Sequence, residues 1–160
     1  MSTLATHVWR PSNARSITLD AFVPVTRGAV AVAPPPLAWP TKDPSDILDY
    51  QFNISPAVTG NDGDAIAALD VSILPNASGD LVLNSATADG LSAVFWFAGG
   101  QTGVAYTVTI TVGTTNGRNI QRSVILPVLS LSSPTISTTA LETDTGLMLV
   151  DQNGNPVLVS

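Results

Sequence analysis

The side chains able to carry chemistry are few, and none is grouped so as to select a reaction. The chain has one histidine, His7, and no cysteine, so a His/Cys metal set cannot form. A lone histidine near the start of a chain is more often solvated than catalytic. Serines are numerous, but neither a G-x-S-x-G elbow nor a histidine-bearing constellation accompanies them, and phosphate-loop and dinucleotide signatures are absent. Two acidic groups remain. Asp43, Asp46 and Asp49 recur every third residue, and Asn61, Asp62 and Asp64 share a turn. Either set could offer oxygens to calcium, yet neither has the calcium-loop spacing with its bidentate glutamate, so turn and capping duty is expected of both. Glycoside cleavage would need two carboxylates flanking a sugar, and nothing in the spacing selects a pair. The expectation is a protein with no catalytic site, no cofactor and no metal.

Function therefore has to be sought in surfaces. Charged residues make up 11% of the 160-residue chain, where a soluble domain has about 25%. So charge-poor a surface is expected to be partly covered by something else. Residues 1–42 carry Arg10, Arg15, Arg27 and Lys42 against Asp20, a balance of +3, while the remainder carries Arg118 and Arg122 against eleven acids, a balance of −9. An acidic body argues against nucleic acid, because neutralising phosphates needs clustered lysine and arginine. The basic arm could seek an acidic protein surface, which in a self-assembling ring could belong to a neighbouring copy; solvated arginines are the alternative. No secretory leader opens the chain, and no apolar run approaches the ~18 residues of a membrane span. A soluble protein with no membrane partner is expected, and without cysteines its fold must rest on packing and backbone pairing.

The best-specified element is residues 104–128. Tyr106, Val108, Ile110 and Val112 alternate with Thr107, Thr109 and Thr111, the period of a half-buried strand. A second β-branched run spans residues 120–128, and Asn116-Gly117 between the two tolerates the positive φ of a tight hairpin. Further strands are read at Leu48, Tyr50, Phe52 and Ile54; at residues 65–74, with a possible bulge; at residues 81–86; and at residues 91–98. The last of these has Ala93, Phe95 and Phe97 on one face and Val94 and Trp96 on the other, which implies a central position. Tyr106, Val108, Ile110, Phe95 and Trp96 are the expected core. Gly103, three residues before the strand-opening Tyr106, resembles the tyrosine corner of immunoglobulin-like sandwiches. About seven short strands and no helix predict an all-β, immunoglobulin-like β-sandwich at residues 42–130.

Two extensions flank it. Residues 1–41 hold Pro11, Pro24, Pro34, Pro35, Pro36 and Pro40, which impose extended geometry, yet they are too apolar for a disordered linker. They are expected to form an arm lying on the body or on a partner, with Trp9, Phe22, Val23 and Trp39 as anchors; the alternative makes residues 17–25 simply the first strand. Residues 131–160 are a Ser/Thr-rich linker followed by two apolar runs around Asn153-Gly154. That pattern predicts a C-terminal β-hairpin, marginal alone, whose Leu147, Leu149, Val157 and Val159 would pair with a partner.

The motifs W-P-x-K-D-P-x-D-x-L-D-Y (residues 39–50), G-G-x-x-G-x-x-Y-T-V-T (residues 99–109) and N-G-R-x-I-x-R-S (residues 116–123), with a strand containing Ile66-Ala67, resemble the bacteriophage fiber-tail adaptor proteins. The resemblance covers roughly residues 39–129 and implies a small immunoglobulin-like structural component of the virion tail. Such a protein is made in the host cytoplasm, joins tail fibers and other tail proteins to the tail, stands in several copies in a ring, and is not an enzyme. The chain departs from the family by its long arm and its C-terminal segment. A carbohydrate-binding or adhesive module on the virion surface is the competing expectation; it would need aromatic rings exposed in loops, whereas these fall mostly in strands or the arm. A fiber-borne depolymerase fits a repeat-free chain of this length poorly.

Overall fold

The computed structural model describes residues 11–19, 27–28, 35–132 and 150–152. Eight strands are formed: β1 (Ser16–Thr18), β2 (Leu37–Ala38), β3 (Leu48–Asn53), β4 (Ile66–Leu74), β5 (Leu81–Asp89), β6 (Ser92–Gly99), β7 (Ala105–Thr114) and β8 (Asn119–Pro127). They make two four-stranded sheets, ordered β1-β3-β6-β5 and β2-β8-β7-β4, packed face to face as an all-β immunoglobulin-like sandwich.

The inward rows follow from period-2 alternation. Tyr50, Phe52, Ile54, Phe95 and Phe97 from one sheet and Tyr106, Val108, Ile110, Val112, Val124 and Leu126 from the other are all at 0% exposure. β6 is central, as its two apolar faces require, but the outward face is only half covered: Trp96 is half-buried there while Phe95 is in the core. The expectation of Trp96 as a core residue is corrected by its parity, one position out of phase with Phe95 and Phe97. In β4 the register shifts between Ile66 and Ala68, a bulge where one was read. The β7–β8 turn closes with the Gly117 amide on the Thr114 carbonyl, 3.0 Å, and only Gly117 takes positive φ, at 81°. Asn116 does not use the freedom ascribed to it.

The largest difference from expectation concerns the arm. Residues 16–18 pair in parallel with β3, Ile17 opposite Phe52, and residues 37–38 pair in parallel with β8. Ile17, Leu19 and Trp39 are buried in the common core. The sandwich therefore starts well before residue 42. Trp39 is 2% exposed, with its ring centroid 5.2 Å from that of Tyr50 and 5.8 Å from that of Phe97, and its indole N–H donates to the Gln51 carbonyl at 3.3 Å. As an anchor for a partner Trp39 is excluded, because its apolar surface is already spent inside its own domain.

Phe95→Ala or Trp39→Ala should cost about 3–5 kcal/mol, the usual penalty of an emptied aromatic site, whereas Trp96→Ala should cost clearly less. Denaturant melts of the three variants check the order; an equal loss for Trp96→Ala would place that ring in the core.

Candidate functional site

The polar groups of the sandwich gather at its two ends. At one end the chain passes into β3 and out of β8. Lys42 is fully buried, and its ammonium donates to the carbonyls of Asp43 (2.7 Å), Gly99 (2.8 Å) and Pro44 (3.5 Å). Burial pulls its pKa down, against the pull of the Asp46 and Asp43 carboxylates. Lys42 also forms a parallel bridge with Val128. Asp43 Oδ1 accepts the Ser45 amide, the turn contact expected of it, and Oδ2 accepts the Leu131 and Ser132 amides and the Ser132 hydroxyl at 2.7–2.9 Å. The Ser45 and Ser132 amides hold this carboxyl well below the usual range. One side chain thus ties the approach to β3 to the chain that leaves β8.

Beside it, Asp80 Oδ2 accepts the Ala77 amide at 2.6 Å, and Oδ1 accepts Tyr106 Oη (2.8 Å) and Gln101 Nε2 (3.0 Å). Tyr106 Oη in turn accepts the Gln101 amide at 2.8 Å. A hydroxyl bonded to backbone five residues upstream is the geometry of a tyrosine corner, with Asp80 as an added partner. The corner needs Gly100: its φ is +100°, and a Cβ there would stand 2.9 Å from Val128 Cγ2.

At the opposite end Asp64 accepts Arg118 at 2.6 Å in an ion pair, together with the Asn116 and Ala65 amides and the Thr115 hydroxyl, while Asn61 Oδ1 takes the second Arg118 nitrogen at 2.6 Å. Burial raises the Asp64 pKa, but the Asn116 amide, the Thr115 hydroxyl and Arg118 outweigh it and bring the group to about 2. On the sheet edge Arg15 donates to the Asp49 carboxylate at 2.6 Å and to its carbonyl at 2.7 Å. A cation of the arm therefore finds its acid on its own body.

Four of the acidic residues have internal partners. Asp43, Asp49 and Asp64 are engaged by internal donors, Asp46 Oδ2 accepts the Asp43 amide at 3.3 Å, and no group of three metal-ligating side chains occurs among the described residues. Of the sequence-derived partner anchors, Trp9, Phe22, Val23, Leu147, Leu149, Val157 and Val159 lie outside the described residues. Sequence reasoning missed the burial of Lys42, the Asp80–Tyr106 bond and the Asp64–Arg118 pair. The only trace of the second was the glycine-rich approach to Tyr106. Five exposed apolar side chains, Ile47, Leu74, Val82, Leu129 and Leu131, lie at the Asp43 end of the strands.

Fold and polar anchors together define an immunoglobulin-like structural module braced at both ends. The family model for the podophage GP4 fiber-tail adaptor protein gp77 matches residues 42–127, more than half of the chain. The protein belongs to this family of phage tail components. No curated protein is a significant match. Among solved structures, the solution structure of the PKD domain from KIAA 1837 protein is similar at 22% identity and a TM-score of 0.38, over 69% of this chain and 100% of that one.

Tyr106→Phe removes one donor from Asp80 and the acceptor of the Gln101 amide, so it should cost about 1–3 kcal/mol in a denaturant melt; an unchanged midpoint would remove the corner from the stabilising contacts. Asp64 has a folded pKa below its ordinary 3.8, so its contribution is full above that value and is lost as pH falls toward about 2. Wild type should lose stability through that window more steeply than Asp64→Asn, as followed by melting temperature against pH.

Proposed function

We propose that this protein is a non-enzymatic structural adaptor of the virion tail, several copies of which join tail fibers to the tail or to neighbouring tail proteins. The match to the fiber-tail adaptor family over residues 42–127 carries this reading. What supports it in the sandwich is that Asp43, Asp46, Asp49 and Asp64 are engaged by internal donors, which braces the module at both ends. The N-terminal and C-terminal extensions supply the contacts, with Trp9, Phe22 and Val23 in the first and Leu147, Leu149, Val157 and Val159 in the second. Residues 131–132 are clamped by Asp43, so the C-terminal segment departs from a fixed point, and tethering of this kind raises the effective concentration of a second contact. The adhesive alternative is not favoured, since Trp39, Tyr50, Phe52, Phe95, Phe97 and Tyr106 are all buried and Trp96 lies half-buried on a sheet face.

Particles assembled without this protein should carry no fibers and fail to attach to host cells, and wild-type protein should restore both. The triple variant Trp9→Ala/Phe22→Ala/Val23→Ala should fold yet fail to restore them. Fibered, infective particles lacking the protein, or hydrolysis of host polysaccharide by the pure protein, would overturn the adaptor reading.

A further inference from the structure

The pairing registers place an apolar patch on the outward face of the β1-β3-β6-β5 sheet. Phe95 and Phe97 of β6 point into the core, so Val94, Trp96 and Ala98 stand on the other face. Ala98 is paired with Val82 of β5, and Ile47, one residue before the Leu48–Phe97 pair, falls on its other side. Ile47 is 59% exposed and Val82 54%, and with the half-buried Ala98 between them they form one neutral apolar row across three strands. In the next row Trp96 lies between Asp49 and Ser85, and in the row after it Val94 lies between Gln51 and Thr87. A large ring and aliphatic side chains ringed by polar groups is the anatomy of a protein interface. On the β3 side the polar neighbours are already engaged. Gln51 Oε1 accepts the Ser16 hydroxyl and Gln51 Nε2 donates to Ser92 Oγ, both at 3.0 Å, while Asp49 Oδ1 accepts Arg15 at 2.6 Å. Few groups are left beside the ring to hold a sugar, so the face suits an apolar protein surface better than a glycan.

We infer that this face docks a different protein of the tail, one whose contact surface has an apolar centre rimmed by lysine or arginine. Charge decides the partner. Asp46, next to Ile47, is half-buried, and Asp89 is exposed at the far end of β5. Arg15, which reaches this sheet, is taken by Asp49, and Lys42 is fully buried on three carbonyls. The field around the patch is therefore negative, and a basic rim on the partner steers the encounter and fixes its orientation. A second copy is the wrong complement, because residues 43–160 carry two arginines against eleven acids and self-contact sets like charges against each other. Trp96 is the expected hot spot, with Ile47 and Val82 excluding water beside it. The contact lies on the body of the sandwich, apart from the two terminal extensions, and it rests on the adaptor reading for the place where its partner is found.

The chain has no cysteine, so Val82→Cys supplies a unique thiol for a benzophenone photo-crosslinker. Ser72→Cys, exposed on the outward face of the other sheet, is the matched control. Full-length labelled protein is added to particles assembled without it and irradiated, and the adducts are identified by mass spectrometry. Val82→Cys should link to a tail protein of different sequence, at an apolar site with lysine or arginine nearby, and Ser72→Cys should link there at least tenfold less. Uptake by the particles, read by co-sedimentation, should also fall at least tenfold for Ile47→Asp/Val82→Asp, whose melt should match wild type because both positions are exposed. Adducts with copies of this chain only, adducts in an acidic stretch, or equal yields from the two thiols would each overturn the docking face. Binding of host polysaccharide that the double substitution abolishes would overturn it in favour of a glycan. Uptake that survives the double substitution overturns this face alone, whereas wild-type protein that particles never take up overturns the adaptor reading and the face with it.

Discussion

Two facing rows of large apolar side chains, Tyr50, Phe52, Phe95 and Phe97 against Tyr106, Val108, Ile110, Val124 and Leu126, are the constraint on which the rest of the molecule depends. Because a strand alternates faces, slipping any of these strands by one residue would send its core row to solvent and its outward row, the threonines in β7, inward. The rows thus set register as well as burial. Trp39 contacts Tyr50, Phe95 and Phe97, so a residue outside the main hairpins completes the core. The Tyr50 hydroxyl is buried with no hydrogen-bond partner among the described residues, and its pKa is pushed up to about 12, chiefly by burial. Among the described residues the core tolerates this unpaired hydroxyl together with its large ring.

A chain without cysteine has to hold its loops by other means, and here buried charges do it. A buried carboxylate or ammonium is tolerated only when its hydrogen-bonding capacity is filled. Asp43, Asp64, Asp80 and Lys42 are therefore selective: each is at home only if several loop amides, hydroxyls or carbonyls come to the same point. The two ends differ in kind. The Asp43 end joins segments 88 and 89 residues apart in sequence and fixes where the chain leaves the body, whereas the Asp64 end locks the β7–β8 turn to the approach of β4 through Arg118.

The low charge content acquires a physical location. Exposed apolar side chains concentrate at the Asp43 end, and the β4–β5 side exposes small neutral residues where a sandwich would ordinarily be closed. The sandwich is braced at both ends by these internal contacts, and β5 leaves residues 84–89 exposed on both faces.

Sequence alone determined the elements whose cause is local. The alternation in β7, β3 and β6, the glycine of the β7–β8 turn, the bulge in β4 and the tyrosine corner were all legible, because each depends on the two-residue period or on the φ of a single residue. The same periodicity carried the sandwich class, and three short motifs carried the family. The tertiary structure decided what depends on residues distant in the chain. Parallel pairing of residues 16–18 and 37–38 has no local signature, so part of a proline-rich arm became core. Trp39 changed from a surface anchor to a core ring, Lys42 from a cation of the basic arm to a buried strut, and Asp80 and Arg118 gained fixed internal partners. In each case the deciding partner, whether a carbonyl, a hydroxyl or an aromatic face, is brought near only when the two sheets close on each other.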